Sequence, residues 1–69
     1  MTPEQIARRK ELLDAMHELS LSAMVYESVK KVALANGEME TVEEMEALAS
    51  GKRRELLPLV TEYQELAYG

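Results

Sequence analysis

The sequence predicts an all-α protein: an antiparallel helical hairpin whose copies dimerise into a four-helix arrangement. Three observations predict it. Apolar residues recur at helical spacing in two long stretches, each with its own start signal, and a single Asn36-Gly37 break separates them. The first stretch also carries apolar residues on two opposed faces, more than one hairpin seam covers.

Thr2-Pro3-Glu4-Gln5 opens the first helix. Thr2 is a capping residue, Pro3 sits in the first turn where its missing N–H costs nothing, and Gln5 completes a capping box. The stop is Asn36-Gly37, because Gly readily takes the left-handed conformation that closes a helix. No Gly or Pro interrupts the span between, which predicts a helix over 3–35, roughly 50 Å long at about 1.5 Å per residue.

A turn over 36–41 then leads to a second capping box, Thr41-Val42-Glu43-Glu44, with its glutamates against the positive end of the helix dipole. Val42, Met45, Ala49, Leu56, Leu59, Tyr63 and Leu66 follow at 3–4 spacing, broken only by Lys52. The register runs through Gly51 and Pro58 without slipping, so residues 42–67 read as one helix. Gly51 is its weak point, and a kink is expected near Pro58, whose ring denies Arg54 a hydrogen bond. Two helices split at Ser50-Gly51 are the alternative. A short turn between two helices gives an antiparallel hairpin, here a single domain over 1–69.

At about 100° per residue, Leu12, Leu13, Met16, Leu19 and Ala23 gather on one side of the first helix, opposite Glu11, Asp14 and Glu18. Beyond Ser20-Leu21-Ser22 the pattern reverses. Leu21, Met24, Val25, Val29, Val32 and Ala35 gather on nearly the opposite side, while Glu27, Lys30 and Lys31 take the direction that was apolar before. The second helix covers only one of these faces. Each large apolar side chain left in water forfeits about 1.5–3 kcal/mol of burial, so Leu21, Met24, Val25, Val29 and Val32 are the expected dimer interface of a two-fold, four-helix arrangement with the first helices at its centre. A bend at the serines, letting one hairpin wrap its own core, is the competing expectation.

Composition limits the function. A chain of 69 residues buries a small share of its surface and needs a staple. It has no Cys and one His, which excludes disulfides and argues against a structural zinc site, leaving self-association. With 46% hydrophobic residues it is too apolar for a disordered tail. A net charge of -5 is the wrong sign for binding phosphate backbones unless the cations are concentrated. They do cluster, as Arg8-Arg9-Lys10, Lys30-Lys31 and Lys52-Arg53-Arg54, whereas Glu38, Glu40, Glu43, Glu44 and Glu46 form an acidic block. MTPEQIARRKEL lacks the apolar core of a signal peptide and no apolar run reaches membrane-span length, so the expected location is the cytoplasm.

No residue set carries a catalytic or metal signature. His17-Glu18 begins like a zinc-protease HExxH, but Leu21 stands where the second His belongs. Ser20, Ser22, Ser28 and Ser50 have only His17 as a conceivable base, and the glutamates of 38–46 lack the spaced Asp/Asn and Gly of a calcium loop. No catalytic residue, cofactor or metal ligand is therefore expected. Residues 43–62 do have the outline of a DNA-binding helix-turn-helix, with Ala47 and Gly51 four apart and Lys52, Arg53 and Arg54 opening the reading helix. Glu46 at an apolar position and Pro58 within the reading helix count against it. Met16, Met24, Met39 and Met45 read as core fillers, though Met also adapts to varied partners. Tyr63 fits the seam. Tyr26 and Tyr68, with Arg8 and Arg9, are the candidate partner-binding residues.

Small size, acidity, the lack of an active-site pattern and surplus apolar helix surface together suit a stoichiometric inhibitor or adaptor that acts on another protein. In these respects, over all 69 residues in length and predicted hairpin form, the chain resembles the small phage-encoded regulators of host proteins, most closely the anti-quorum-sensing proteins of certain bacterial phages. No diagnostic motif carries the likeness. It implies binding to a LuxR-type transcriptional activator in the bacterial host cytoplasm, blocking its DNA contact, and, as a second partner, the pilus-assembly ATPase. A helix-turn-helix regulator and a structural or assembly subunit of a phage particle are the alternatives.

Overall fold

Thr2 determines where the first helix begins. In a computed structural model that describes residues 1–68, the Thr2 N–H donates to Gln5 Oε1 at 2.8 Å and the Gln5 N–H donates to Thr2 Oγ1 at 3.2 Å, the reciprocal pair of a capping box. Helix α1 spans Pro3–Ala35. It ends in a Schellman closure: the Glu38 N–H reaches back to the Ala33 carbonyl at 2.9 Å and the Gly37 N–H to the Leu34 carbonyl at 3.2 Å. Gly37 holds the left-handed conformation this closure needs, at φ 72°.

Helix α2 spans Met39–Tyr68. This corrects the expected start at Thr41-Val42, and the turn is shorter than 36–41. The Schellman closure reverses the chain within Asn36-Gly37-Glu38, and the Val42 N–H already donates to the Glu38 carbonyl at 3.1 Å. Thr41 therefore lies inside the first turn of α2 rather than capping it. The helix continues through Gly51 and carries Pro58 in its interior, so the split at Ser50-Gly51 does not occur.

The two glycines are expected to respond oppositely to alanine. Gly37→Ala forces a Cβ into the left-handed region and should cost about 1–2 kcal/mol. Gly51 lies mid-helix with nothing within 4 Å of the position a Cβ would take, so Gly51→Ala should stabilise by about 0.5–1 kcal/mol. Urea midpoints of the two variants check both signs.

The helices pack antiparallel, as shown by ion pairs from Arg8 to Glu62 and from Lys30 to Glu46. On α1 the seam follows Leu12, Met16, Leu19, Ala23, Tyr26, Lys30 and Ala33; on α2 it follows Val42, Met45, Ala49, Lys52, Leu56, Leu59, Tyr63 and Leu66. Both rows alternate steps of three and four, the repeat that keeps one seam facing a partner helix. Among the described residues only Leu12, Ala33 and Ala49 are fully buried, and Leu12 is the one large side chain of the three.

The molecule measures 52 × 14 × 13 Å, with a radius of gyration of 15.7 Å against about 11 Å for a globule of this length. Its long axis matches the roughly 50 Å that an unbent α1 spans. The competing expectation of a bend at Ser20–Ser22 is thus overturned, and one hairpin does not wrap a core of its own. Among the described residues no helix is long and apolar enough to cross a membrane.

Candidate functional site

The apolar stripe on the second face of α1 is exposed. Val25 is 57% exposed and Val32 62%, and Leu21, Met24 and Val29 are also exposed. They lie opposite the seam because the seam continues straight through the point where the sequence pattern reverses. Tyr26, Lys30 and Ala33 occupy it there, with Glu27 beside them, and all four are buried or half-buried. The turn-side half of the hairpin thus has small and charged residues along its seam and a large apolar stripe outside.

A solvent-accessible charge network flanks the seam here. Lys30 Nζ lies 2.6 Å from Glu46 Oε2 and 3.7 Å from Glu27 Oε2. Arg53 donates to Glu27 Oε1 at 2.7 Å and to Glu46 Oε1 at 3.2 Å, and the Ser50 hydroxyl donates to the same Glu46 oxygen at 3.3 Å. The hydrogen bond from Arg53 is the main cause that holds the Glu27 carboxyl below its ordinary range, and the bond from Lys30 does the same for Glu46. Lys30 and Arg53 are raised in return by Glu46 and Glu27 respectively.

This network gives a pH prediction with a definite sign. A carboxylate whose folded value is depressed contributes stability above its unfolded value, near 4.5, and loses it as pH falls through the folded value. The urea midpoint should therefore drop as pH falls below the unfolded value, and should fall with added salt at neutral pH because exposed pairs are screened. Glu46→Gln should flatten both responses. A variant that matches the wild type at every pH and salt concentration would leave the network without a role in stability.

At the open end of the hairpin, Arg8 grips both carboxylate oxygens of Glu62, at 2.5 and 2.9 Å, and also pairs with Glu11 at 3.2 Å. That bidentate contact holds Glu62 below its ordinary range. Arg9 lies over the Tyr63 ring, 5.7 Å from its centroid. Both arginines, candidate partner contacts, remain exposed and also join α1 to α2, because the antiparallel register delivers Glu62 and Tyr63 to their level.

The two tyrosines separate. Tyr68 projects from the end of α2, 84% exposed. Tyr26 is half-buried at the seam and lines a shallow hollow of about 250 Å³ with Leu21, Ser22 and Val25, linking seam to stripe. A second open hollow lies along the seam between Ala15, Leu19 and Ser22 on α1 and Lys52, Glu55 and Leu59 on α2.

The helix-turn-helix outline over 43–62 is not realised. An unbroken α2 has no turn at Gly51, and two of the three cations assigned to the reading helix are engaged: Arg53 with Glu27 and Glu46, and Lys52 with Glu55 at 3.7 Å. Arg54 is exposed. Local spacing matched the motif, but nothing stops the helix, since Gly alone weakens a helix without ending it. His17 is exposed, with Leu21 one turn on. Among the described residues no cluster of His, Asp and Glu is placed to hold a metal ion.

Comparison with protein-family models, with curated protein sequences and with solved structures finds no match to this chain. Its function is therefore argued from its own surface.

Proposed function

We propose that this chain is a non-enzymatic protein–protein interaction module that self-associates through the α1 stripe and caps a functional surface of a second protein. The observation that carries the reading is the exposure of Leu21, Met24, Val25, Val29 and Val32 on the face turned away from the only intramolecular seam. Scattered apolar residues on a surface are ordinary, but a contiguous stripe marks a contact surface. Tyr68, exposed at the end of α2, is a rigid amphipathic anchor of the kind that dominates interface energies.

The resemblance to phage-encoded regulators supports a bacterial host protein as the second partner, with a LuxR-type transcriptional activator as the leading candidate and the pilus-assembly ATPase as another. The chain's surplus of unpaired acidic groups, including Glu38, Glu40, Glu43 and Glu44 at the turn end, supports a partner with a basic face such as a DNA-binding surface. Affinity purification of the tagged chain from a bacterial host, followed by mass spectrometry, tests the reading. Stoichiometric recovery of a transcription factor whose operator binding is lost on addition of the chain is the expected result. Recovery of particle proteins alone, or of nucleic acid, would overturn it.

A further inference from the structure

The geometry points to a second copy of this chain as the occupant of the α1 stripe, docked antiparallel about a two-fold axis that crosses α1 midway between Val25 and Ser28. This rests on the self-association reading above and fixes its orientation and register.

The spacing of the stripe is the first support. Leu21, Val25, Ser28 and Val32 follow steps of four, three and four, with Met24 and Val29 beside them. The spacing reads the same in both directions. Two antiparallel copies therefore set Leu21 against Val32 of the second copy, Val25 against Ser28, and Met24 against Val29, the self-complementarity that a two-fold interface requires. The Ser28 hydroxyl does not oppose this, because it donates to the Met24 carbonyl of its own helix at 3.0 Å.

The placement of charge is the second. On that face no ionisable group lies between Leu21 and Val32; Glu27 and Lys30 are turned to α2 and paired there, and Lys31 stands at the rim. Among the described residues, Glu38, Glu40, Glu43 and Glu44, at the turn end, take part in none of the ion pairs. A parallel arrangement would set these carboxylates of both copies side by side. The antiparallel one separates the two acidic tips and sets each near Asp14, His17 and Glu18 of the other α1, fewer like charges than the eight carboxylates that parallel docking would gather. A basic helix from another protein fits less well, since the acids lie beyond the stripe and its cations would rest on valines.

Surface area is the third. The chain exposes 5136 Å², against about 4,400 Å² for a compact monomer of its mass. The excess, roughly 700 Å², is close to the ~800 Å² that one partner contributes to a standard stable interface.

The chain has no cysteine, so engineered thiols report without background. Leu21→Cys and Val32→Cys chains are to be oxidised separately and as an equimolar mixture, with sedimentation equilibrium of the unmodified protein alongside. The expected result is a disulfide-linked dimer that forms in the mixture and not in either variant alone, because opposed positions bring the thiols within bonding reach while like positions lie several turns apart. Self-linkage of each single variant would show parallel pairing and overturn the orientation. A dimer in the centrifuge with no cross-link in any mixture would place the contact on another face and overturn the register. A monomer at all concentrations would overturn the self-association reading as well. Both positions are exposed, so unchanged circular dichroism is expected and separates these outcomes from misfolding.

Discussion

Leu12→Ala should leave most molecules unfolded at room temperature. Leu12 is 1% exposed and, among the described residues, is the single large side chain that the hairpin buries completely. Truncating such a leucine costs about 2–5 kcal/mol, through lost transfer energy and the cavity left behind. A core this small rarely supplies more than about 3–5 kcal/mol in total. The loss is therefore comparable to the whole stability of one hairpin. At roughly 4–8 °C per kcal/mol for a domain of this size, the melting temperature should fall by ten degrees or more. Thermal melts followed by far-ultraviolet circular dichroism check it. Leu57→Ala is the control: Leu57 is exposed, and its truncation should change stability by less than about 0.5 kcal/mol. Equal melts for the two variants would mean that the open-end seam is not where stability resides.

The second large effect concerns association rather than folding. Val25→Asp should weaken self-association by about a hundredfold or more, which corresponds to roughly 2.7 kcal/mol. The substitution removes a half-exposed apolar group near the proposed two-fold axis and sets a carboxylate there. It enters a symmetric interface twice, and an unpaired carboxylate moved out of water carries a large desolvation penalty. Folding of the single hairpin should be almost unaffected, because Val25 makes no part of the seam. Sedimentation equilibrium over a concentration series, with circular dichroism as the check on folding, separates the two. If the variant associates like the wild type, the stripe is not the contact between copies.

Most of the architecture was legible in the residues. The start of α1 was, because Thr2 and Gln5 satisfy each other's backbone within one turn. The stop was, because Asn36-Gly37 places the residue that tolerates a left-handed conformation where the helix must close. The α2 seam was also legible from Val42 to Leu66, since its members recur at the helical period; Lys52, which breaks the apolar row, is half-buried in line with them. The change of face in the second half of α1 was legible too, since Leu21, Met24, Val25, Val29 and Val32 do lie exposed. Less legible were the residues that take over the seam there, Tyr26, Lys30 and Ala33. The signal that would have found them is the unbroken alternation of threes and fours from Leu12 to Ala33, together with opposite charges on α2 at Glu46 and Arg53. The contacts of Arg8 and Arg9 within the chain were not legible for a related reason: Glu62 and Tyr63 are more than fifty residues away in sequence.

The sequence by itself determined two long helices, their reversal at Gly37, the composition of the α2 seam and the surplus of apolar side chains on α1. Those features follow from capping, backbone conformation and periodicity, which act within about one helical turn. Only the tertiary structure decided that Lys30 sits at the seam paired with Glu46, that Arg53 bridges to Glu27, and that Arg8 and Arg9 are engaged with Glu62 and Tyr63. Each depends on which side chains the antiparallel register brings level across the hairpin, where a lysine faces a glutamate rather than water. A pairing energy of that kind is a property of two helices together and is written in neither one alone.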